Sequence, residues 1–525
     1  MHLRKYYPWI TFQHIVISIL IIFMIEPACK AKEYKLNYGI LKSRGMETNQ
    51  EHKYCLGYYP SITKIPAEES AVKYSEADTE YLQNLCEDAP RKVNGLIVFA
   101  DKDTNCSLIE EASEIEVAGG EGTIFVGSQW PFRINASNST VLNMGFITNT
   151  SYQKIQELGE NETILIGAYS SVEEDEFLFN YNLIVIWIMA EFSIIVGSYW
   201  SATLRHRLYL VEQGEAIGEP RDVVERPGGY TVREESYLKL TPKVVLILVF
   251  LMCIMLVCLW FLLEYLVYII IALFCVASFF AIYCCLEPLV LKIPCGKCRT
   301  PYFNIYFIRG VLELRQIILI LFSASLPIIW FIFRKEPYSW ILQDILGIAF
   351  SINIMRVIRL PNLMICTLLL TLLVLYDIFF VFITPFITSS GTSIMVDVAQ
   401  GGDSNEELPM VLKVPYFFYP EYYDVCKIRN YSLLGFGDIL IPGFLISYVH
   451  SFDLKVGTPC RLYYLINIIA YGLGLLLTFV LLFVMQGAQP ALFYLVPATL
   501  IPTVVIAAGR EELAHMWTDK SPNEK

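Results

Sequence analysis

Apolar runs of about 20 residues recur from residue 182 onward, separated by short polar segments. At a rise of 1.5 Å per residue, a helix of about 20 residues crosses the roughly 30 Å hydrocarbon core of a bilayer. The continuous stretch 244–290 holds two charges, Glu264 and, near its end, Glu287, and is long enough for two helices joined by a tight turn. The pattern predicts nine membrane spans, near 182–203, 244–264, 266–289, 311–333, 340–358, 362–386, 432–450, 462–485 and 490–509.

The segment before the first span has a different pattern. Short β-type runs at 94–99 and 123–127 flank a helical stretch from about 107 to 118, which ends at glycines beginning with Gly119. These alternations predict a small mixed α/β domain over residues 32–178.

The first 31 residues have the order of a secretory signal peptide. Arg4 and Lys5 precede an apolar stretch from Ile15 to Ile25, and small residues follow near Ala28. We expect cleavage near residues 28–31; the alternative is an uncleaved membrane anchor. In either case the domain that follows is expected to be lumenal or extracellular.

Glycosylation sequons support that placement. Five of them cluster between residues 105 and 163, whereas Asn430 is the one acceptor elsewhere in the sequence. The predicted glycosylated residues are Asn105, Asn135, Asn138, Asn149 and Asn161.

Three cysteines, Cys55, Cys86 and Cys106, lie in the same polar region. An oxidising lumen allows one disulfide among them, with three pairings open and one thiol left over.

The composition excludes an ordinary soluble protein. Hydrophobic residues form 55% of the chain and charged residues 17%, with a mean hydropathy of +0.49. The net charge of −12 argues against a nucleic-acid partner. Lysine and arginine concentrate in the loops 204–243 and 290–310, which are therefore predicted to be cytosolic. This orientation places the long 387–431 loop in the lumen and the tail, 510–525, in the cytosol.

Two carboxylates lie inside the predicted spans. Asp377 is near the centre of the sixth span, and Asp438 is the one charge in the membrane part of the seventh. A charge at this depth costs at least ~2.5–3.5 kcal/mol, so each aspartate needs a polar neighbour or a wet cavity. If the two carboxyl groups face one another, they resist joint ionisation and share one proton. The ionised carboxylate could then activate water while its protonated partner polarises a peptide carbonyl, without a metal or another cofactor.

Noncatalytic roles for these residues stay open at this point. An intramembrane aspartate more often serves helix packing, ion transport or a proton relay. Gly435 and Gly437 would let another backbone approach Asp438, although glycine is also common at membrane helix contacts. Pro490 suits an ordinary helix start. Two rival functions follow: a nonproteolytic receptor that binds ligand through its lumenal domain, and an ion or proton pathway.

Three motifs in separate spans carry a family resemblance: Tyr376-Asp377, Gly435-Phe436-Gly437-Asp438 and Pro490-Ala491-Leu492. With these motifs in this order, the chain resembles the signal peptide peptidase and presenilin group of intramembrane aspartyl proteases. The N-terminal domain resembles a protease-associated domain through NGLIVFAD, Cys106 and AGGEGTIFVG. The combination is similar to the signal-peptide-peptidase-like branch that bears this domain.

The resemblance implies a mainly α fold, a polytopic bundle of about nine spans (182–509) with an N-terminal lumenal domain. It implies that Asp377 and Asp438 are catalytic, with Tyr376 beside the first. Phe436 with its two flanking glycines, and Pro490 to Leu492, would support the active site.

The resemblance also implies type II single-pass substrates, often after ectodomain shedding, and no metal or cofactor. The location implied is the secretory or endolysosomal system or the plasma membrane, and a homo-oligomer is compatible with it. An unwound substrate could pair as an added strand, either near residue 490 or in the 387–431 loop.

Overall fold

The computed structural model describes residues 36–60, 62–82, 93–101, 108–127, 143–159, 162–170, 181–212, 223–226, 229–232, 238–239, 241–293, 303–305, 308–310, 313–388, 393–399, 408–417, 425–426, 431–485 and 489–518. Within it the chain forms two compact units, Met1–Phe179 with Phe418–Asn430, and Asn180–Phe417 with Tyr431–Lys525. The predicted signal peptide lies outside the described residues.

The described residues of the first unit form a closed β-barrel and two α-helices. Its strands follow the order β1-β2-β6-β5-β4-β3-β7; β3, β4, β5 and β6 are parallel neighbours, and the other pairs are antiparallel. The strands are β1 (Asn37–Gly45), β2 (Glu51–Tyr58), β3 (Ser75–Leu82), β4 (Ile97–Asp101), β5 (Gly122–Gly127), β6 (Met144–Thr148) and β7 (Ile164–Tyr169), and the helices are α1 (Leu108–Val117) and α2 (Asn149–Gly159).

The sequence patterns in this unit are confirmed. Both predicted strand runs form strands of the barrel, and the predicted helix forms as α1. Gly119 adopts a φ of +92°, a left-handed conformation that suits glycine and ends the helix. Buried Phe125 and Phe146 stack with their ring centroids 5.6 Å apart, so aromatic side chains fill one part of the barrel core.

The predicted disulfide is wrong in its partner. Cys55 of β2 bonds to Cys426, 371 residues later in the chain, and not to Cys86 or Cys106. Those two cysteines lie outside the described residues. The prediction considered cysteines near Cys55 in sequence, but residues 418–430 belong to the same compact unit as β2. The chain distance between two cysteines therefore gave no guide to their distance in space.

In the described part of the second unit, eight helices are long and apolar enough to cross a membrane. They are α3 (Tyr181–Glu212), α4 (Pro242–Val290), α5 (Leu314–Phe333), α6 (Ser339–Val357), α7 (Leu363–Ile378, continued to Ile387), α9 (Phe436–Val456), α10 (Leu462–Met485) and α11 (Ala491–Gly509). The described residues of this unit also form two short helices, α8 (Ile394–Ala399) and α12 (Leu513–Thr518).

Helix α4 supplies two passes. Its 49 residues would extend about 73 Å if straight, more than twice the hydrocarbon thickness. Its beginning and its end both lie beside the C-terminal end of α6, since Val245 shares a buried cluster with Met355 and Arg356 donates to the carbonyl of Cys284 at 3.3 Å. The helix therefore folds back, at the non-helical residue Leu262. The predicted pair of spans in this stretch agrees with that path.

Short strands occur between the helices of this unit. They are β8 (Val223–Arg226), β9 (Gly229–Val232), β10 (Leu238–Lys239), β11 (Phe303–Ile305), β12 (Ile308–Gly310), β13 (Ile358–Arg359), β14 (Val411–Pro415) and β15 (Tyr431–Gly435). The last two form an antiparallel pair. Residues 432–435 were predicted to begin the seventh span, but they form β15, and the helix begins at Phe436.

Candidate active site

Asp377 lies in the last α-helical turn of the Leu363–Ile378 part of α7 and is 3% exposed. Its Oδ2 accepts a hydrogen bond from the backbone N–H of Leu492 at 3.1 Å. Leu492 is the second residue of α11, where backbone N–H groups have no partner inside the helix and carry partial positive charge. The start of α11 therefore provides the polar neighbour that a carboxylate at this depth requires.

Asp438 lies in the first turn of α9 and is partly exposed. A carboxylate at this end of a helix is favoured by the helix dipole. Asp438 and Asp377 are close enough that the charge of one acts electrostatically on the other. The two predicted carboxylates thus come together from α7 and α9, which were identified as neighbouring spans from their sequences.

The glycines before Asp438 are not tightly packed. A Cβ added to Gly435 would meet Oδ2 of Asp438 at 3.5 Å, and one added to Gly437 would meet the Ile441 side chain at 3.9 Å. Both are ordinary contacts within the same segment. Among the described residues, no other backbone is among the nearest atoms at either glycine. The prediction that these glycines let another backbone approach Asp438 therefore stays a prediction.

The close approach occurs at a different glycine, Gly347 of α6. A Cβ there would lie 2.2 Å from the ring of Phe436, so no larger residue fits without moving that ring or α6. Phe436 is buried, and its ring also neighbours Phe350 and Phe274, with centroids 6.0 and 6.5 Å away. Phe436 therefore anchors the start of α9, two residues before Asp438.

The strand pair β14–β15 leads directly into α9. Leu412 lies opposite Leu434 and Val414 opposite Ser432, and Phe436 donates its N–H to the carbonyl of Met410 at 3.2 Å. Asn182 of α3 donates to the side chain of Ser432 at 2.7 Å. The backbone immediately before Asp438 is thus held as an extended strand.

The remaining predicted residues lie around this centre. Tyr376 packs against Phe380, with ring centroids 4.8 Å apart. Pro490 is buried and extended, and it immediately precedes α11. The first residue of α11, Ala491, packs against the hydrophobic cluster that contains Phe436 and Leu495. The predicted helix start is confirmed, and Leu492 has an additional contact with Asp377 that spacing did not reveal. The helix continues through Pro497 and Pro502.

Two features of the site were not predicted from the sequence. Residues Phe379–Ile383, just after Asp377, form a π-helix, a rare conformation that is frequent at functional sites. Gln343 and Asp344 of α6 hydrogen-bond to β14. Two adjacent polar residues inside an apolar span were a detectable signal, because such residues are costly in a membrane.

In the described part of the chain, no group of three or more His, Cys, Asp or Glu side chains is placed so that it could hold a metal ion.

Of the five predicted glycosylation sites, Asn149 lies within the described residues, where it is exposed at the start of α2. The other four, Asn105, Asn135, Asn138 and Asn161, lie outside the described residues.

Comparisons with known proteins agree with this architecture. A family model described as signal peptide peptidase matches residues 232–523. The chain is 35% identical to signal peptide peptidase-like 2B of Mus musculus over 513 residues, which cover 95% of this chain and 84% of that protein. The human protein of the same name is 35% identical over 510 residues, with coverage of 95% and 83%. Signal peptide peptidase-like 2A of Mus musculus is 36% identical over 487 residues, with coverage of 89% and 87%.

Proposed function

This chain belongs to the signal peptide peptidase family of intramembrane proteases, and we propose that it is an aspartic endopeptidase whose catalytic residues are Asp377 and Asp438. The observation that carries the proposal is the meeting of these two membrane carboxylates, with Asp377 held by the N–H of Leu492. Family membership favours proteolysis over the receptor and ion-pathway alternatives.

The chemistry needs one proton shared by the two carboxyl groups, because like charges held close resist joint ionisation. The ionised carboxylate takes a proton from water, and the water oxygen bonds to the scissile carbonyl carbon. The protonated carboxyl donates its proton to the carbonyl oxygen, which gives a gem-diol. The C–N bond then breaks as the amine nitrogen accepts a proton and one diol hydroxyl returns a proton to the pair.

The free edge of β15 supports a position for the substrate. Leu434 and Ser432 face β14, so the backbone groups of Leu433 and Gly435 point to the opposite edge. Among the described residues, no hydrogen bond reaches those groups. An unwound substrate could therefore add as a strand beside β15, where Gly435 and Gly437 have no side chain to obstruct its backbone. Of the two predicted pairing positions, this geometry favours the one at the end of the 387–431 loop.

We propose type II single-pass substrates, shortened by shedding, in the secretory or endolysosomal system or the plasma membrane. The bond between Cys55 and Cys426 supports a lumenal N-terminal unit, because the 387–431 loop must then share its side of the membrane and disulfides persist in oxidising compartments. Replacing the five predicted sequon asparagines together should abolish the mass shift caused by glycosidase. A native chain without glycan, and a C-terminal tag accessible from the lumen alone, would contradict this orientation.

The test of the catalytic pair compares Asp377→Asn and Asp438→Asn with the wild type in a reconstituted assay. Each substitution should lower cleavage by about 10²–10⁴-fold or more, because both carboxyls act on the reacting water and carbonyl. Membrane abundance should remain, since the substitution removes a group that is costly to insert. Glu264→Gln is the matched control, because Glu264 is an exposed carboxylate of another apolar span. Efficient cleavage by either well-expressed aspartate variant would refute the assignment.

A second experiment concerns the substrate helix. The carbonyl groups of a helical substrate accept hydrogen bonds within the helix, so water can attack them only after the helix has unwound at the cut site. Glycine at the cut site, about 1 kcal/mol less favourable in a helix than alanine, should accelerate cleavage, and a run of leucine should slow it. A bulky lumenal ectodomain should also block entry. Cleavage that is indifferent to helix stability and ectodomain length would contradict this substrate class even if both aspartates were essential.

A further inference from the structure

The outer edge of β14 is closed by two side chains of α6. Gln343 donates from Nε2 to the carbonyl of Val411 at 3.2 Å, and Asp344 accepts the N–H of Lys413 at 2.9 Å on Oδ1. Both side chains are buried, at 8% and 2% exposure. The bonded backbone groups belong to alternate residues, as expected for one edge of a strand.

The pattern of these bonds imitates a neighbouring strand. In a parallel ladder, one residue donates to the carbonyl of residue i−1 and accepts from the N–H of residue i+1 of its partner. Gln343 and Asp344 together make this pair of bonds around Leu412. The next outward position on β14 is Pro415, which has no N–H to offer. The edge of β14 away from β15 is therefore unsuited to pairing with an added strand.

The same face of α6 also positions the start of α9. Gln343 and Gly347 are four residues apart, and Asp344 and Gly347 three apart, so these residues share one helix face. Gly347 receives the ring of Phe436. One face of α6 thus fixes both the strand β14 and the anchor residue that precedes Asp438.

We propose that Gln343 and Asp344 are positioning residues that fix the substrate's register at the active site, a proposal that rests on the proposed function. They hold β14 in place and close its outer edge, so that an unwound substrate pairs with β15 alone. The peptide bond presented to Asp377 and Asp438 is then set by where β15 ends, at Gly435. Neither side chain acts on the reacting atoms.

The test uses full-length chain reconstituted with one helical substrate, and it maps the cut sites by mass spectrometry. Asp344→Leu should lower kcat/KM about 5- to 150-fold, the effect of leaving a buried amide unpaired, mainly through KM. It should also spread cleavage over neighbouring peptide bonds. Asp344→Asn retains an acceptor oxygen and should restore the wild-type cut site.

A second variant acts on the strand itself. Lys413→Pro removes the N–H that Asp344 binds, at an edge position where proline is compatible with a strand. Lys413→Ala keeps this N–H and loses the contact of the Lys413 ammonium with the Tyr431 ring at 3.8 Å, so it is the reference for Lys413→Pro. Relative to Lys413→Ala, Lys413→Pro should reproduce the effect of Asp344→Leu, and the variant with both Lys413→Pro and Asp344→Leu should be no worse than either, because both changes remove the same hydrogen bond. An additive double variant would overturn the proposal.

The control is Asp453→Leu, at the other end of α9. Asp453 is also a buried carboxylate that accepts a backbone N–H, from Tyr464 at 2.8 Å. This variant should lower abundance without moving the cut site. Equal spreading of cut sites in Asp453→Leu and Asp344→Leu would show a general structural effect and overturn the proposal.

Hydrogen exchange of residues 408–417 gives a readout independent of cleavage. Asp344→Leu should increase exchange there, and unchanged exchange would also overturn the proposal. If the wild type cleaves no helical substrate, the proposed function fails, whereas the contact between Asp344 and β14 is still judged by this measurement.

Discussion

The backbone N–H of Leu492 donates to Oδ2 of Asp377, joining residues 115 positions apart in the sequence. The contact is made by the backbone, so the identity of the side chain at position 492 does not encode it. It explains how a helix start can contribute to an active site without providing a reactive group.

Leu492→Pro tests this contact because it removes the N–H while leaving the position within the first helical turn, where proline is tolerated. Loss of a hydrogen bond to a charged group, worth about 1.5–3 kcal/mol, should reduce kcat by about 10- to 150-fold. Leu492→Met retains the N–H and is the control. Equal rates for the two variants in single-turnover assays would contradict the role of the contact.

Gly347→Ala should impair the enzyme through the Phe436 ring, which an added Cβ would meet at 2.2 Å. Overpacking of this kind costs about 1–3 kcal/mol, and here it displaces the start of α9. Phe436→Leu in the same chain should recover part of the loss by making room. The measurement is kcat/KM beside thermal stability in detergent. No recovery in the double variant would contradict a steric cause.

Peptide mapping without reduction should find Cys55 linked to Cys426. Cys55→Ser and Cys426→Ser should each destabilise the first unit by about 2–5 kcal/mol, and the double variant should lose no more than either alone. Cys460→Ser, at an exposed free thiol, should have no effect. A peptide linking Cys55 to Cys86 or Cys106 would instead support a pairing within the N-terminal polar region.

The barrel should keep one ion-pair network down to mildly acidic pH. Hydrogen bonds from Lys42, at 2.7 Å, and from Arg44 lower the pKa of Glu51 to about 2. The unfolded-state value is about 4.3, so this stabilisation is complete above that value and disappears as pH falls through about 2.

The local stability of the β1–β2 region should therefore stay constant, as far as Glu51 contributes to it, between pH 7 and 5, and it should decline below about pH 4. Hydrogen exchange in those peptides, corrected for intrinsic rates, measures it. Glu51→Gln should flatten the decline, whereas Glu110→Gln, at an exposed position of α1, should leave it unchanged. A decline of equal size in the Glu51→Gln variant would assign it to other groups.

Much of the fold could be predicted from the hydrophobic pattern of the sequence. The membrane spans follow from the length of apolar runs, and the helix that ends at Gly119 follows from its local pattern. Asp377 and Asp438 were identifiable for the same reason, since lone charges in apolar runs are costly. β15 was not, because Leu433 and Leu434 continue the apolar run of α9 and length alone does not separate strand from helix. The partner of Cys55 and the contact between Gly347 and Phe436 depend on tertiary structure, and no local pattern encodes them.

The π-helix at Phe379–Ile383 has a consequence for how this sequence can change in evolution. Its hydrogen bonds close over one more residue than those of an α-helix, so the segment contains a surplus residue. Deleting one residue there would convert it to α-helix with Asp377 still in place and Thr384, whose hydroxyl accepts the N–H of Ile394, still following it. Elsewhere in α7 a deletion would rotate all later side chains by about 100°. Single-residue length differences among relatives should therefore be tolerated best between Asp377 and Thr384.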